Sequence, residues 1–260
     1  MRVVSFNANG IRSAARLGFY EWLENVRPDV VCLQETRAHH AQLSDDPQYF
    51  PAGYHCEYVD AEKKGYSGVA IYARHAPERI VRHFGYARAE SEGRYLRFDY
   101  PGLSIISAYF PSGTSSEERQ AIKYEFLEHF APHVMALRES GQELIICGDY
   151  NIAHKPIDLK NWRSNQKNSG FLPDERAFMD RLFGELGFVD AFRLKNPHPD
   201  EYTWWSHRGR ARENNVGWRI DYQVITQGLV PRVGTVEVYR EQKLSDHAPV
   251  LVQYEGGFSA

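Results

Sequence analysis

Polar side chains follow several apolar, strand-like runs of this chain, at the point where each run ends. Their types are those that bind hard metal ions or transfer protons: carboxylates, carboxamides, a tyrosine and a histidine. Because strand ends at one rim of a sheet converge in space, we expect these side chains to share one site. They are Asn7, Glu35, Tyr109, Asp149, Asn151, Asp221, Asp246 and His247.

Together these residue types supply what the hydrolysis of a phosphoester needs. Carboxylate and amide oxygens are ligands for Mg²⁺ or Mn²⁺, ions that neutralise a phosphate and stabilise a leaving oxygen. Asp149 is the candidate base that takes a proton from water, and Asn151 projects to the same side as an amide donor. A pair such as His247 with Asp221 would hold the imidazole in one tautomer, or keep it charged beside the phosphate.

Each of these residues also has an ordinary structural explanation. Glu35 alone could be a solvated strand terminus, and Asn7 a turn residue that tolerates an unusual backbone. Tyr109 could be a core tyrosine with its hydroxyl hydrogen-bonded at the edge. Taken singly, these explanations are preferred. Independent turns are not expected to supply the complete set, however, and the set as a whole favours a shared catalytic site.

Hydrophobic periodicity predicts the elements that must position these side chains. Apolar runs predict buried strands, and apolar positions at helical spacing predict helices. The predicted strands span 2–8, 29–35, 68–74, 94–100, 103–110, 143–148, 218–225, 233–240 and 248–254, and the predicted helices span 11–26, 115–137 and 173–186. Many strands with few helices indicate an α/β or α+β domain of two packed sheets. Two long loops, 150–172 and 196–217, would overhang one edge.

Length and composition bound the class of protein. The chain has 260 residues, with 42% hydrophobic and 25% charged, so we expect one globular domain over 1–260. The net charge of −3 gives no global positive field, although a local basic stripe is enough for phosphate contacts. Three cysteines without a CxxC spacing argue against zinc and disulfides. With no signal peptide or membrane-length apolar run, we expect a cytoplasmic monomer with no membrane partner, nucleoid-associated if bacterial.

Two loops have the composition of a nucleic-acid surface. Aromatic rings can stack on a sugar or base while arginines hold phosphates. A solvated arginine loop above core tryptophans is the ordinary alternative. The first loop, 204–219, carries Trp204, Trp205, His207, Arg208, Arg210, Arg212, Trp218 and Arg219. The second loop, 155–170, carries Lys155, Lys160, Asn161, Arg163, Asn165, Lys167 and Asn168.

Seven short motifs occur in the order found in one known family. They are Asn7-x-Asn-Gly-Ile-Arg12, Leu33-Gln-Glu-Thr36, Gly65-Tyr-Ser-Gly68, Ala108-Tyr-Phe-Pro111, Gly148-Asp-x-Asn-Ile152, Gly217-Trp-Arg-Ile-Asp-Tyr222 and Ser245-Asp-His-Ala-Pro249. From residue 2 to about 254, the chain resembles the exonuclease III / class II AP endonuclease family of DNA repair enzymes. Leu-Gln-Glu, Gly-Asp-x-Asn and Ser-Asp-His are shared with the wider endonuclease/exonuclease/phosphatase superfamily. The first, third and sixth motifs are more specific to the repair branch.

The resemblance implies a fold, a reaction and a substrate. The fold is a four-layer α/β sandwich of the DNase I-like kind, with two packed, mostly antiparallel sheets flanked by helices. The reaction is Mg²⁺-dependent hydrolysis of DNA, with Mn²⁺ as a substitute ion. Enzymes of this family cut 5′ to an abasic site and process 3′ ends. The implied partner is therefore double-stranded DNA with abasic sites, nicks or blocked 3′ ends, in base excision repair.

The resemblance also implies a role for each strand-end residue. Glu35 would be the main metal ligand, Tyr109 would contact the phosphate or assist the nucleophile, and Asn151 would stabilise the transition state. The residues implied around the metal are Asn7, Glu35, Asp149, Asn151, Asp246 and His247. The implied catalytic group is Tyr109, Asp149, Asn151, Asp221 and His247.

DNA contacts are implied by the same resemblance. Trp204 and Trp218 would form the walls of a small pocket for a flipped-out abasic sugar, too small for an intact base. The implied DNA-contacting residues are Arg12, Tyr66, Asn165, Lys167, Asn168, Trp204, Arg208, Arg212 and Trp218. The loop 112–116 lacks the arginine that some abasic-site specialists carry near this point. The balance between abasic-site cleavage and 3′-end cleaning therefore stays open.

Three other classes of protein explain the sequence less well. A sister branch of the superfamily that acts on inositol phosphates or sphingomyelin would share Glu35, Asp149 and Asn151. It should lack the loop 204–219, which we call the arginine–tryptophan loop. A DNA-binding module that has lost its chemistry should first lose its metal ligands, and none of the expected positions is missing. A scaffold protein would not explain the strand-end pattern. We therefore expect a DNA repair nuclease.

Overall fold

The structure is a computed structural model that describes residues 1–258. Its strands are β1 (Arg2–Asn7), β2 (Val30–Gln34), β3 (His55–Val59), β4 (Val69–Ala73), β5 (Arg79–Val81), β6 (Tyr95–Tyr100), β7 (Leu103–Tyr109), β8 (Glu143–Asp149), β9 (Val189–Asp190), β10 (Trp204–Trp205), β11 (Gly217–Trp218), β12 (Asp221–Ile225), β13 (Val233–Val238) and β14 (Val250–Tyr254). Its α-helices are α1 (Ile11–Arg16), α2 (Phe19–Val26), α3 (Ala87–Ser91), α4 (Glu117–Glu139), α5 (Trp162–Asn165), α6 (Pro173–Phe183) and α7 (Ala191–Lys195).

Two six-stranded sheets form the centre of the fold. Their strand orders are β13-β14-β1-β2-β4-β3 and β5-β6-β7-β8-β12-β9. Each sheet contains one parallel pair, β1 with β2 and β7 with β8, and every other neighbouring pair is antiparallel. The predicted mostly antiparallel sheets are therefore confirmed.

The four layers follow from the alternation of side chains along buried strands. In β8, Ile145 and Cys147 belong to the apolar cluster between the two sheets, whereas Leu144 and Ile146 belong to the cluster beneath α4 and α6. The other sheet carries a third cluster on its outer face, beneath α1 and α2. A strand covered on both faces is largely apolar, which explains the apolar run at 144–147.

The prediction of a single continuous helix over 11–26 is wrong. The structure has two helices, α1 and α2, separated at Gly18, whose φ of 92° no helix can contain. Both helices pack on the same face of the sheet, so their apolar residues keep a helical spacing across the break. Periodicity alone therefore could not reveal the break.

The predicted long helix is confirmed, as α4. It starts after Ser116, whose side chain accepts a hydrogen bond from the backbone N–H of Arg119. The edge strands β3 and β5 were not predicted, because edge strands lack the fully apolar pattern of central ones. The two long loops contain the short elements α5 and β10.

Strand polarity brings the ends of both sheets to one rim. The parallel pair β1 and β2 ends at Asn7 and Gln34, and the parallel pair β7 and β8 ends at Tyr109 and Asp149. Strand β12 runs antiparallel to β8 and begins with Asp221, directly opposite Asp149. Within each sheet this register places the polar ends side by side, and Asn7 joins the two sheets by donating its Nδ2 to Asp149 Oδ2.

Candidate active site

Asn7 links the two sheets at the floor of the site. Its Nδ2 donates to Glu35 Oε1 and to Asp149 Oδ2, each at 2.9 Å, and its side chain is fully buried. Its Oδ1 accepts the backbone N–H of Asn9. The carboxamide thus turns its N–H groups, and not its oxygen, toward the two carboxylates.

His247 lies between two buried carboxylates. Its Nδ1 is 2.9 Å from Asp221 Oδ2, and its Nε2 is 3.9 Å from Asp149 Oδ2. Burial lowers the pKa of His247, but the negative charge and hydrogen bond of Asp221 outweigh that effect and raise the pKa to about 10. The imidazole is therefore charged at neutral pH, and Thr203 fixes its partner through a hydroxyl hydrogen bond to Asp221 Oδ2.

Asp149 is buried near other carboxyl groups, so its ionised form is disfavoured. Burial raises its pKa to about 8, and the charges of Asp221 and Glu35 add to the effect. The backbone N–H of Asn151 donates to Asp149 Oδ1 at 2.8 Å and opposes the rise. The carboxyl groups of Glu35, Asp149 and Asp221 thus lie close together around one imidazolium, and this proximity disfavours the ionised form of Asp149.

The residues present fit a divalent cation. Within residues 1–258, one atom each from Glu35, Asp149 and His247 lies within 4.8 Å of the other two, and all three residues are buried. The carboxylate oxygens of Glu35 and Asp149 are the hard donors that Mg²⁺ and Mn²⁺ prefer, and a cation there would stabilise the ionised form of Asp149. A charged imidazole has no free lone pair, so the carboxylates are the better ligands and His247 the better donor.

Asp246 closes the site beside the imidazole. Its Oδ1 accepts Asn9 Nδ2 at 2.8 Å, and its Oδ2 accepts Trp204 Nε1 at 3.2 Å. Burial raises its pKa, but the charge of His247 and these hydrogen bonds reverse that effect and hold the pKa below its usual value. Asp246 is therefore ionised and ties Trp204 to the rim.

Two residues at the site were missed by the sequence interpretation. Arg37 donates its Nε to Glu35 Oε2 at 2.9 Å, and Asn9 bonds Asp246 as described above. Asn9 lies inside the Asn-x-Asn-Gly motif, which was a usable signal. Arg37 lies two residues after Glu35, but nothing in its spacing set it apart from a surface arginine.

Two of the predicted site residues adopt the left-handed backbone conformation. Glu35 has φ 50° and Asn151 has φ 52°, a conformation that non-glycine residues adopt at a cost. The side chain of Asn151 donates its Nδ2 to the carbonyl of Phe110 at 2.9 Å. Such strain persists only where the surroundings hold the residue in place, as at many functional sites.

Tyr109 and Tyr66 are joined through a buried arginine. Arg94 donates Nη1 to the Tyr109 carbonyl and Nη2 to the Tyr66 hydroxyl, and its guanidinium lies 4.7 Å from the centre of the Tyr109 ring. Burial, with the charge of Glu35, raises the pKa of Tyr109 well above its usual value. The phenol therefore stays protonated and can donate a hydrogen bond.

A cavity of about 900 Å³ lies above these groups. Trp204 and Trp218 form one part of its wall, with ring centres 6.4 Å apart in an edge-on arrangement. The strands that carry them, β10 and β11, pair with each other. The wall also includes the predicted residues Asn165, Lys167 and Asn168.

The remaining predicted DNA contacts lie outside this cavity. Arg12 and Arg208 are exposed, on α1 and in the 206–215 loop. Tyr66 lines an adjoining cavity of about 500 Å³. Arg212 is half-buried, packs over the Trp205 ring at 4.7 Å and donates to the Ser245 carbonyl.

Two residues of the arginine–tryptophan loop cannot contact DNA as expected. Arg219 was expected to hold a phosphate, but it is buried and paired with Asp158 and Asp190 at 2.8 and 2.7 Å. Trp205 was expected to stack on a base or sugar, but it belongs to a buried apolar cluster. Both expectations are wrong, because burial depends on neighbours that are distant in sequence.

A family model described as Endonuclease/Exonuclease/phosphatase family matches residues 4–247. The chain belongs to this family. An exodeoxyribonuclease of Bacillus subtilis is 35% identical over 252 residues, covering 96% of this chain and 98% of that protein. A DNA-(apurinic or apyrimidinic site) endonuclease of Dictyostelium discoideum is 35% identical over 258 residues, covering 97% of this chain and 70% of that protein.

The fold has a close structural counterpart within this family. The solved structure of an AP endonuclease from Archaeoglobus fulgidus has a TM-score of 0.89 and 28% identity, covering 98% of this chain and 100% of that one. The expected DNase I-like fold and the resemblance to exonuclease III and AP endonucleases are therefore confirmed. The expectation of a phosphoric ester hydrolase is confirmed by the same family membership.

Within residues 1–258, no helix is both long enough and apolar enough to span a membrane.

Proposed function

We propose that this chain is a single-domain, Mg²⁺-dependent DNA repair phosphodiesterase of the exonuclease III type. It hydrolyses the backbone 5′ to abasic sites, processes 3′ ends of duplex DNA, or does both. The observation that carries the proposal is the convergence of Asn7, Glu35, Asp149 and His247 at one rim, beneath a cavity with a tryptophan wall. The family and its exodeoxyribonuclease and endonuclease members support the same chemistry.

Glu35 and Asp149 are the residues that would hold the metal, with Asp246 nearby. A bound Mg²⁺ supplies charge neutralisation at the phosphate and stabilises the leaving oxygen. Asn7 keeps the two carboxylates at a fixed separation through its two N–H groups. The Glu35–Arg37 ion pair occupies Oε2 of Glu35, which leaves Oε1 facing Asn7 and Asp149.

The other catalytic roles follow from charge and hydrogen bonding. Asp149 orients the attacking water and accepts its proton, since its carboxylate lies at the floor of the site between Asn7 and His247. His247, held by Asp221, directs a charged Nε2–H toward the phosphate. The Asn151 carboxamide and the neutral Tyr109 hydroxyl add donors for the charge that develops in the transition state.

DNA recognition is proposed to use shape and backbone contacts. Trp204 and Trp218 would enclose an abasic sugar, and the group Asn165, Lys167 and Asn168 would hold the neighbouring phosphates. Arg12, Tyr66, Arg208 and Arg212 would extend the footprint. No residue on the described surface suggests a base-edge code, so the enzyme should be indifferent to sequence.

The testing experiment uses three labelled duplexes: one with an internal abasic analogue, one with a recessed 3′-hydroxyl and one with a 3′-phosphate. Each is incubated with Mg²⁺, with EDTA, and with the Asp149→Ala and Asp45→Ala proteins. Asp45 is an exposed carboxylate outside the cavity and serves as the matched control. Metal-dependent incision at the abasic site that is lost only in Asp149→Ala supports the endonuclease activity. Activity on 3′ ends alone would assign an end-processing enzyme. A protein that is inactive on all three duplexes but hydrolyses inositol phosphates would contradict the proposal that DNA is the substrate.

A further inference from the structure

A fully buried ion pair lies beneath the candidate site. Lys123 on α4 and Glu175 on α6 bond each other with 0% of either side chain exposed. Two charges are costly to remove from water, and such a pair persists only when further hydrogen bonds satisfy both groups. Here those further bonds go to two segments that line the active-site cavity.

Lys123 reaches the backbone of a proposed catalytic residue. Its Nζ donates to the carbonyl of Asn151 at 2.7 Å. Asn151 has left-handed φ, and its own side chain bonds the carbonyl of Phe110. The ammonium therefore holds the strained peptide that aims the Asn151 carboxamide.

Lys123 is also coupled electrostatically to the floor of the site. Burial lowers the pKa of Lys123, while the charges of Glu175 and Asp149 act against that lowering. The ammonium is thus close enough to the candidate base for their charges to interact.

Glu175 holds the segment that carries the proposed DNA contacts. Its Oε2 accepts the backbone N–H of Gly170 at 2.7 Å and of Leu172 at 2.9 Å. These residues lie just after Asn168 on the cavity wall, and a Cβ added at Gly170 would lie 3.1 Å from the Trp218 ring. Glu175 is the third residue of α6, where a glutamate commonly bonds backbone N–H groups ahead of the helix.

We propose that Lys123 and Glu175 are positioning residues of the active site, each for a different wall. Lys123 sets Asn151 against the phosphate, and Glu175 sets segment 165–172 against the DNA backbone. This inference rests on the proposed function. An apolar pair of similar volume would pack these helices at least as well, but it offers no donor to Asn151 and no acceptor to Gly170.

The test distinguishes the role of Lys123 from that of Glu175 by measuring turnover and DNA binding independently. Lys123→Met keeps the side-chain length and removes the donor, and Glu175→Gln keeps the shape and removes the charge. Arg97→Met is the matched control, because Arg97 forms a mostly buried ion pair with Asp99 on β6, away from the cavity. For each protein, kcat is measured on an abasic duplex, Kd for DNA by fluorescence anisotropy in EDTA, and folding by thermal melting.

We expect Lys123→Met to lower kcat on the order of tenfold to a hundredfold while Kd changes by less than about twofold. Glu175→Gln should raise Kd several-fold, with a smaller effect on kcat. Arg97→Met should lose stability and keep both constants. The double variant Lys123→Met/Glu175→Gln removes the lone buried charge, and it should stay folded while showing both defects.

Two outcomes would overturn the positioning roles. One is a folded Lys123→Met protein with unchanged kcat, and the other is a loss of kcat in Arg97→Met equal to that in Lys123→Met. An unmodified protein that is inert on every DNA substrate would instead contradict the proposed function. The two failures are therefore distinguishable.

Discussion

Asp221 Oδ2 lies 2.9 Å from His247 Nδ1, and this contact leaves Nε2 of the same ring directed toward Asp149. The pair connects strand β12 to the loop before β14, so the imidazole is held by the antiparallel core of one sheet. Because Asp221 has 1% of its surface exposed, its charge acts on His247 with little screening. The imidazole is thereby fixed in both orientation and charge.

Asp221→Asn is expected to lower the pKa of His247 from about 10 toward its ordinary value of 6.5. The charge that opposes the effect of burial is lost, and the imidazole becomes largely neutral at neutral pH. Turnover should fall on the order of a hundredfold or more. NMR of the imidazole nitrogens in EDTA measures the pKa, with His247→Gln to assign the signal. A variant whose His247 still titrates near 10 would contradict this account.

Metal-free protein is expected to lose stability as the pH rises from about 4 to 8. The pKa of Asp149 is raised from 3.8 to about 8 in the folded state, so the folded protein retains a proton that the unfolded chain releases across this range. The contribution of Asp149 is therefore fully present below 3.8 and lost as the pH passes 8.

Thermal melting in EDTA across this pH range measures the effect. Asp149→Asn should flatten the dependence, and Mg²⁺ should restore the stability of the unmodified protein at the alkaline end, because it replaces the missing positive charge. Equal pH profiles for the two proteins would contradict the raised pKa.

Substitutions of two arginines in the loop 204–219 are expected to have different effects, one on DNA binding and the other on stability. Arg208→Ala should weaken DNA binding and reduce the slope of log Kd against log salt by about 1, because an exposed phosphate contact is lost. Arg219→Met should instead cost about 3–5 kcal/mol of folding free energy, because Asp190 is left buried without its ion-pair partner and Asp158 keeps only Arg193. Fluorescence anisotropy at several salt concentrations measures DNA binding by both variants, and urea unfolding measures their stability. A DNA-binding defect in folded Arg219→Met protein would contradict a purely structural role for Arg219.

Gly148→Ala is expected to destabilise the protein by about 1–3 kcal/mol and to reduce turnover. A Cβ at this position would lie 2.4 Å from the carbonyl oxygen of Ala108 on the neighbouring parallel strand. The strand would have to move, and Asp149 would move with it. Urea unfolding checks the stability, with Gly257→Ala as the control because, among residues 1–258 and apart from its chain neighbours, no atom lies within 4 Å of its added Cβ. Equal stabilities for the two variants would refute the close approach of β7 and β8.

The predicted site residues that the structure brings together were recognisable because strands impose a simple rule. Glu35, Tyr109 and Asp149 each lie at the end of a largely apolar run, and such runs form buried strands whose ends meet at a common rim. The break at Gly18 and the edge strand β3 were not recognisable, since helical spacing survives a turn and an edge strand has no strong pattern. The burial of Arg219 could not be predicted either, because its partner Asp158 lies 61 residues away.

The family, the two-sheet architecture and the set of groups available for catalysis can be predicted from the amino-acid sequence, because apolar patterning and short motifs are local properties. How those groups are charged and held follows only from the packing of the folded chain. The charge of His247 depends on Asp221, 26 residues away, and the left-handed peptide of Asn151 is held by Lys123 from a separate helix. Desolvation and Coulomb interactions depend on distance in space, and that distance exists only once the sheets and helices have packed.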